Sequence, residues 1–205
     1  MEISITGNPG KDNQFNDLHT DMVQSYNPNA QNVYINNQPK DTDSRLACWL
    51  RNLSVEFKND IKLQKKLDDI KRYRTKLPHT IGLDAKLRDG HFSPAAIDKA
   101  RRQKQYYAKK ATKYQYCESA QRIDSYLFGK VCCRFDQYVL NLIEEQQPLS
   151  IIKTAVYEKV ILPIMAELNE VGSADTELCY NEDDIFGMLY YLTGKCHINW
   201  AIYDV

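Results

Sequence analysis

Residues 119–143, SAQRIDSYLFGKVCCRFDQYVLNLI, decide how this chain folds. Ile123, Leu127, Val131, Phe135, Tyr138, Leu142 and Ile143 recur every three or four positions, the period of one helix face. The spacing predicts a helix capped by Ser119, ending before Pro148, whose broad apolar stripe lies at the centre of a core.

The same period extends in both directions. Downstream, Ile152, Val156, Val160, Ile164 and Leu168 predict a helix over 149–171, with Pro163 expected to kink it. Asn181 followed by Glu182-Asp183-Asp184 reads as an N-cap with acids complementing the helix dipole. That helix should run to about Leu192, with Gly194 as its left-handed cap and 195–200 as a short strand or final turn. Upstream, Ser93-Pro94 is a helix start, and Ile97, Ala100, Tyr107, Ala111 and Tyr114 mark one face of a very basic helix. Residues 78–92, with Gly82 and Gly90, read as a loop. Leu46, Trp49, Leu50, Leu53, Phe57, Ile61, Leu67, Ile70 and Tyr73 predict one long helix from Asp43 to about Lys76, ended by Leu77-Pro78.

The first forty-odd residues differ, being rich in Asn, Gln, Asp, Gly and Pro, with turn signals at Asn8-Pro9-Gly10 and Asn27-Pro28-Asn29. Residues 1–42 read as a leader that is flexible or forms a small hairpin and orders on a partner. The expected architecture is mainly α: a bundle of about five helices over 43–205 behind that leader.

Charge cancels over the 205 residues, with 27 basic and 27 acidic side chains, but it is segregated. Lys and Arg against Asp and Glu number 3 and 6 over residues 1–50, 18 and 7 over 51–114, and 6 and 14 over 115–205. The net values are −3, +11 and −8, so the basic middle and the acidic end can pair with each other, or the middle can meet a polyanion. The six cysteines show no CxxC pair, no basic-then-apolar leader is present, and no apolar run approaches the ~20 residues that span a bilayer. A reduced, cytoplasmic protein is expected, with no membrane partner.

Few residues suggest chemistry. Cys132-Cys133 and Cys196-His197 are adjacent pairs, and adjacent residues rarely chelate one ion, so no metal is expected. A nucleophile at Cys196 or Cys179, with His197, His79 or His91 as base, has no spacing that selects it. Gly7-Asn8-Pro9-Gly10-Lys11 lacks the spacing and the hydroxyl residue of a phosphate loop, and no cofactor motif is present. The basic stretch 97–114 is more open to function: Lys99, Arg101, Arg102, Lys104, Lys109, Lys110 and Lys113 are candidate contacts to nucleic acid or a partner, with interleaved tyrosines able to stack on bases. The alternative is an amphipathic helix with tyrosines inward and lysines in water. His197, Trp200 and Tyr203 are candidates for a partner anchor, or caps on the core.

Two segments carry a resemblance. Ser119-Ala120-Gln121-Arg122-Ile123-Asp124 and, above all, the run from Tyr180-Asn181-Glu182-Asp183-Asp184-Ile185-Phe186-Gly187 to Cys196-His197-Ile198-Asn199-Trp200 resemble the helical C-terminal domain of bacterial ABC-three-component systems, with Gly90-His91-Phe92-Ser93 also included. Such systems join an effector-type protein to an ABC-class ATPase, often with a small middle component, in defence against phages and plasmids. The resemblance implies a domain that tethers its protein to an SMC/ABC-type ATPase or a sister subunit, the partner handling ATP and DNA. Only the Asn-rich leader stands where an effector is usual, so a non-enzymatic adaptor is expected, with a nucleic-acid-binding module on helix 97–114 as the alternative.

Overall fold

The computed structural model describes residues 44–63, 65–75 and 81–202. Among these there is no strand, and there are seven helices: α1 (Arg45–Lys58), α2 (Asp68–Arg74), α3 (Gly82–Asp89), α4 (Pro94–Lys113), α5 (118–144), α6 (149–170) and α7 (Glu182–Gly194). A 3-10 turn, Gly172–Ala174, follows α6. The leader and its expected hairpin lie outside the described residues.

The two additional helices, α2 and α3, come from places where local signals misled. The stretch expected as one helix from 43 to 76 breaks after Lys58, where Asp60 takes φ 51° and the Ile61 N–H donates to the Glu56 carbonyl at 2.9 Å. The expected loop 78–92 contains α3. His91, Gln146 and Cys196 end α3, α5 and α7 in the same left-handed way, with φ of 61°, 54° and 68°. In each case the next residue's N–H reaches back to the carbonyl five positions earlier, at Leu87, Leu142 and Leu192. The expected left-handed cap Gly194 is instead the last residue of α7, and 195–200 form turns.

The helix starts follow their caps more closely. Ser93 accepts the Ala96 N–H at 3.3 Å with Pro94 behind it, and Asn181 and Asp184 form a reciprocal capping box on α7. α5 begins one residue before the expected cap, after Cys117, and Ser119 lies in its first turn. There the Ser119 N–H donates to Glu56 of α1 at 3.1 Å, which places a carboxylate at the positive end of the α5 dipole.

α5 and α6 each contain a π-helical segment, Asp136–Leu140 and Val156–Ile161. The reason is written in their apolar spacing. Buried residues recur at strict four-residue steps, Ile123, Leu127, Val131, Phe135, Val139 and Ile143 in α5, and Ile152, Val156, Val160, Ile164 and Leu168 in α6. In an ideal α-helix each such step drifts by ~40°, so five steps cannot stay on one face. The wider i→i+5 turn of the π segment takes up the drift. It also moves the stripe from the expected Tyr138, which is exposed, to Val139, which is buried. In α6 the π segment precedes Pro163, whose missing N–H leaves the Lys159 carbonyl without its helical donor; Arg134 Nε of α5 donates to that carbonyl.

α4 and α7 form the most extensive helix pair. Their backbones meet at Gly187, where a Cβ would fall 2.6 Å from the Gln103 carbonyl oxygen and 2.7 Å from Tyr107 Cβ. Phe128 of α5 packs under this pair, stacked on Tyr191 with ring centroids 5.7 Å apart and set edge-on to Tyr107. α1 adds Leu46, Leu50 and Leu53 to the same core, and α2 adds Ile70 and Tyr73.

One carboxylate lies within that core. Asp124 is 3% exposed, accepts the Tyr180 hydroxyl at 2.7 Å, and has Arg74 Nη2 at 3.4 Å. Burial pushes its carboxyl above the ordinary value, against the opposing pull of Tyr180 and Arg74.

Two outcomes follow. Gly187→Ala should lower stability by about 1–3 kcal/mol in urea unfolding, the overpacking cost outweighing the gain in helix propensity. Gly172→Ala, in open space, should not. Asp124 holds its proton more tightly folded than unfolded, so its contribution to stability is greatest at low pH and falls as pH rises through the folded pKa. Across about pH 4 to 7 the stability of Asp124→Asn should therefore gain on that of the parent chain; a constant gap would contradict a raised Asp124.

Candidate interaction surface on the basic helix

α4 divides its cations between structure and surface. The Arg101 guanidinium is held by two carboxylates: Nε donates to Asp84 at 2.9 and 3.0 Å, Nη2 to the same group at 2.6 Å, and Nη1 to Asp98 at 2.5 Å. Its hydrogen bonds hold the Asp84 carboxyl below the usual range. Lys110 donates to Asp184 Oδ2 at 2.6 Å and to the Leu178 carbonyl at 3.0 Å. Asp184 is fully buried, so Lys110 is its counter-ion. Lys104 lies half-buried across Gly194, where a Cβ would meet Nζ at 2.8 Å, and burial, then the neighbouring Lys195, lower its pKa. Lys113 donates to the Tyr114 hydroxyl at 2.7 Å and sits over the Phe57 and Tyr114 rings.

Lys99, Arg102 and Lys109 are exposed and make no ion pair among the described residues. With Tyr106, 55% exposed, and Lys113, they fall at positions 99, 102, 106, 109 and 113. At 100° per residue these share one face, a stripe of about 21 Å. At its N-terminal half a groove of ≈460 Å³ runs beside Lys99, Arg102 and Tyr106, with Asn181 and Asp183 of the α7 start on its other wall. Gln103 spans the two helices there, donating to Asp183 at 2.7 Å.

The C-terminal candidates lie elsewhere. Trp200 is 4% exposed, edge-on to Phe92 and Phe135, and its Nε1 donates to Thr193 Oγ1 at 3.1 Å. Lys86, itself buried, holds the turn down by donating to the Ile198 carbonyl at 3.1 Å. Gly90 makes room for this closure, since a Cβ there would fall 2.7 Å from Trp200 Cβ. His197 packs edge-on to Tyr73 at 5.5 Å, and burial lowers its pKa. Trp200 is thus a core residue, His197 a partly covered one, and Tyr203 lies outside the described residues.

All six cysteines are free thiols. Burial pushes the Cys132 thiol up to about 12 and raises Cys117 as well. Among the described residues no group of three His, Cys, Asp or Glu side chains is placed to hold a metal ion, and no helix is long and apolar enough to cross a membrane.

The sequence profile of C-terminal domain 9 of the ABC-three-component (ABC-3C) systems matches residues 82–200. The chain belongs to this family. No curated protein and no solved structure matches it. The ABC-3C domain match begins at the first residue of α3 and ends at the buried Trp200, so it takes in the α4–α7 pair, the Lys86–Ile198 closure and both π segments. α1 and α2 precede the match but complete its core.

For this ABC-3C domain, Lys110→Met should leave Asp184 buried without its cation and lower stability by about 3–5 kcal/mol. Lys109→Met, one residue away on the outer stripe, should stay within about 0.5 kcal/mol. Paired urea titrations measure both; equal losses would remove the distinction between inner and outer cations.

Proposed function

We propose that the chain is a non-enzymatic adaptor of an ABC-three-component defence system, docking on the system's SMC/ABC-type ATPase or on a sister subunit. Family membership over 82–200 carries this reading. Among the residues that sequence reading weighed for chemistry, the Cys132 thiol is held protonated by burial, which suits this reading. The outer face of α4 is the docking surface in this reading. An exposed tyrosine among cations that make no internal ion pair suits an acidic partner face, because unpaired charges steer encounter and an aromatic ring supplies contact area.

The same stripe favours a second reading, direct contact with nucleic acid. Four cations along about 21 Å of one helix present an extended positive face to a phosphate backbone, and the exposed Tyr106 stands among them to stack. This reading requires affinity that falls with salt, with a slope of log K on log salt of about −3 to −4 for four phosphates.

Tagged chain, co-expressed with the other subunits of its system, should retain an ABC-type ATPase in fixed stoichiometry after nuclease treatment. The triple variant Lys99→Glu, Arg102→Glu, Lys109→Glu should lose that partner while remaining folded. Recovery of the chain alone, with nucleic acid that nuclease removes, would replace the adaptor reading with the second.

A further inference from the structure

The flank of α4 opposite the stripe faces a cleft of ≈290 Å³ bounded by α2 and the end of α7. Its walls carry three cations, Lys66, Arg74 and Lys195, and among the described residues no carboxylate lines it. Ala108 and Ala111 keep the α4 side shallow, and the Tyr107 and Tyr191 rings form its apolar part.

These cations are poorly satisfied from within. Lys66 and Lys195 make no ion pair among the described residues. Arg74, only 16% exposed, reaches Asp124 through one nitrogen at a long 3.4 Å, while the Tyr180 hydroxyl takes the other Asp124 oxygen at 2.7 Å. The rest of the Arg74 fork has no acceptor among the described residues. The Tyr107 hydroxyl, fully buried beside Asp124, also forms no well-aligned hydrogen bond. Lys195 stands over the Tyr191 ring at 5.6 Å and opposes the charge of Lys104, whose pKa it depresses.

An ordinary surface explains part of this, since Lys195 complements the C-terminal end of the α7 dipole. It does not explain a nearly buried guanidinium with spare donors facing the same space as two unpaired ammonium groups. A fork of planar donors flanked by point charges is the arrangement that binds a compact tetrahedral anion. The volume, at the low end for small-molecule pockets, excludes a duplex.

We propose that this cleft binds a phosphate monoester of a small molecule, its phosphoryl group held by Arg74 between Lys66 and Lys195. This is independent of the adaptor reading, because the cleft lies on the other flank of α4 from the stripe.

The test uses the whole chain in thermal-shift and calorimetric titrations at fixed ionic strength with six probes: adenosine 5′-monophosphate, adenosine, inorganic phosphate, sulfate, and a short oligonucleotide with and without a 5′-phosphate. The monophosphate and inorganic phosphate should bind and raise the melting temperature, and adenosine should not. Lys66→Gln with Lys195→Gln should weaken the monophosphate by roughly tenfold to a hundredfold, as loss of charge-assisted hydrogen bonds does. Neither side chain carries a buried partner, so the unliganded melting temperature should hold. The proposal is overturned if no phosphate probe binds at millimolar concentration, if sulfate at equal ionic strength does as well, or if the double variant binds unchanged. Binding of the 5′-phosphorylated oligonucleotide far above the monophosphate would also overturn it, in favour of a strand end as the ligand.

Discussion

The fold depends on how closely α7 approaches α4. Gly187 permits it, because any side chain there would enter the Gln103 backbone and the Tyr107 side chain. Two further contacts fix the antiparallel register. At one end Lys110 meets Asp184, and at the other Lys104 crosses Gly194. Asp184 serves two elements through one oxygen, accepting the Asn181 N–H of its own capping box and the Lys110 ammonium. The start of α7 is thereby tied to α4, and the aromatic layer of Tyr107, Tyr191 and Phe128 closes beneath. Glycine removes the steric barrier, the ion pair sets position, and the rings supply buried area.

The long helices were legible in the sequence because their apolar period is local. α4, α5, α6 and α7 fall close to where periodicity and caps put them. The failures have physical causes. The break after Lys58 is marked by neither Gly nor Pro; Asp60, His91, Gln146 and Cys196 adopt left-handed φ because the tertiary contacts beyond them outweigh a local cost of ~1–2 kcal/mol. Gly194, which looked like a cap, instead stands where the Lys104 side chain passes within 3 Å of a Cβ position, and Gly90, placed in an expected loop, stands as close to Trp200. The π segments did have a signal: four-residue steps sustained over sixteen to twenty residues cannot belong to an undistorted α-helix.

The candidate site was legible only in part. Composition shows that helix 97–114 is basic and aromatic, but which lysine is structural depends on which face meets α7. Lys109 and Lys110 are neighbours in sequence and point to different environments, one to solvent and one to a buried carboxylate. Trp200 illustrates the same limit, since an aromatic residue near a chain end reads equally as an anchor or as a cap until Gly90 and Thr193 are seen against it. The cleft behind α4 had no linear signature, because Lys66, Arg74 and Lys195 come from three separate segments.

The charge segregation joins these observations. If the basic middle were neutralised by the acidic end, ion pairs between the two would dominate, yet among the described residues those that cross are Arg74–Asp124 and Lys110–Asp184. Arg101 turns instead to Asp84 and Asp98, acids of its own basic region, and Lys130 pairs with Glu167 within the acidic end. Both crossing pairs hold a buried carboxylate, which is where an unpaired charge costs most. Of the other cations of the middle region, Lys99, Arg102, Lys109 and Lys113 line one flank of α4, and Lys66 stands on the other with Arg74 and Lys195. On one flank they stand in a line beside an exposed tyrosine, a geometry for an extended partner; on the other they border a half-open cleft, a geometry for a small anion. A single basic helix thus presents two surfaces of the same sign that differ in shape, and shape, more than net charge, separates what each can bind.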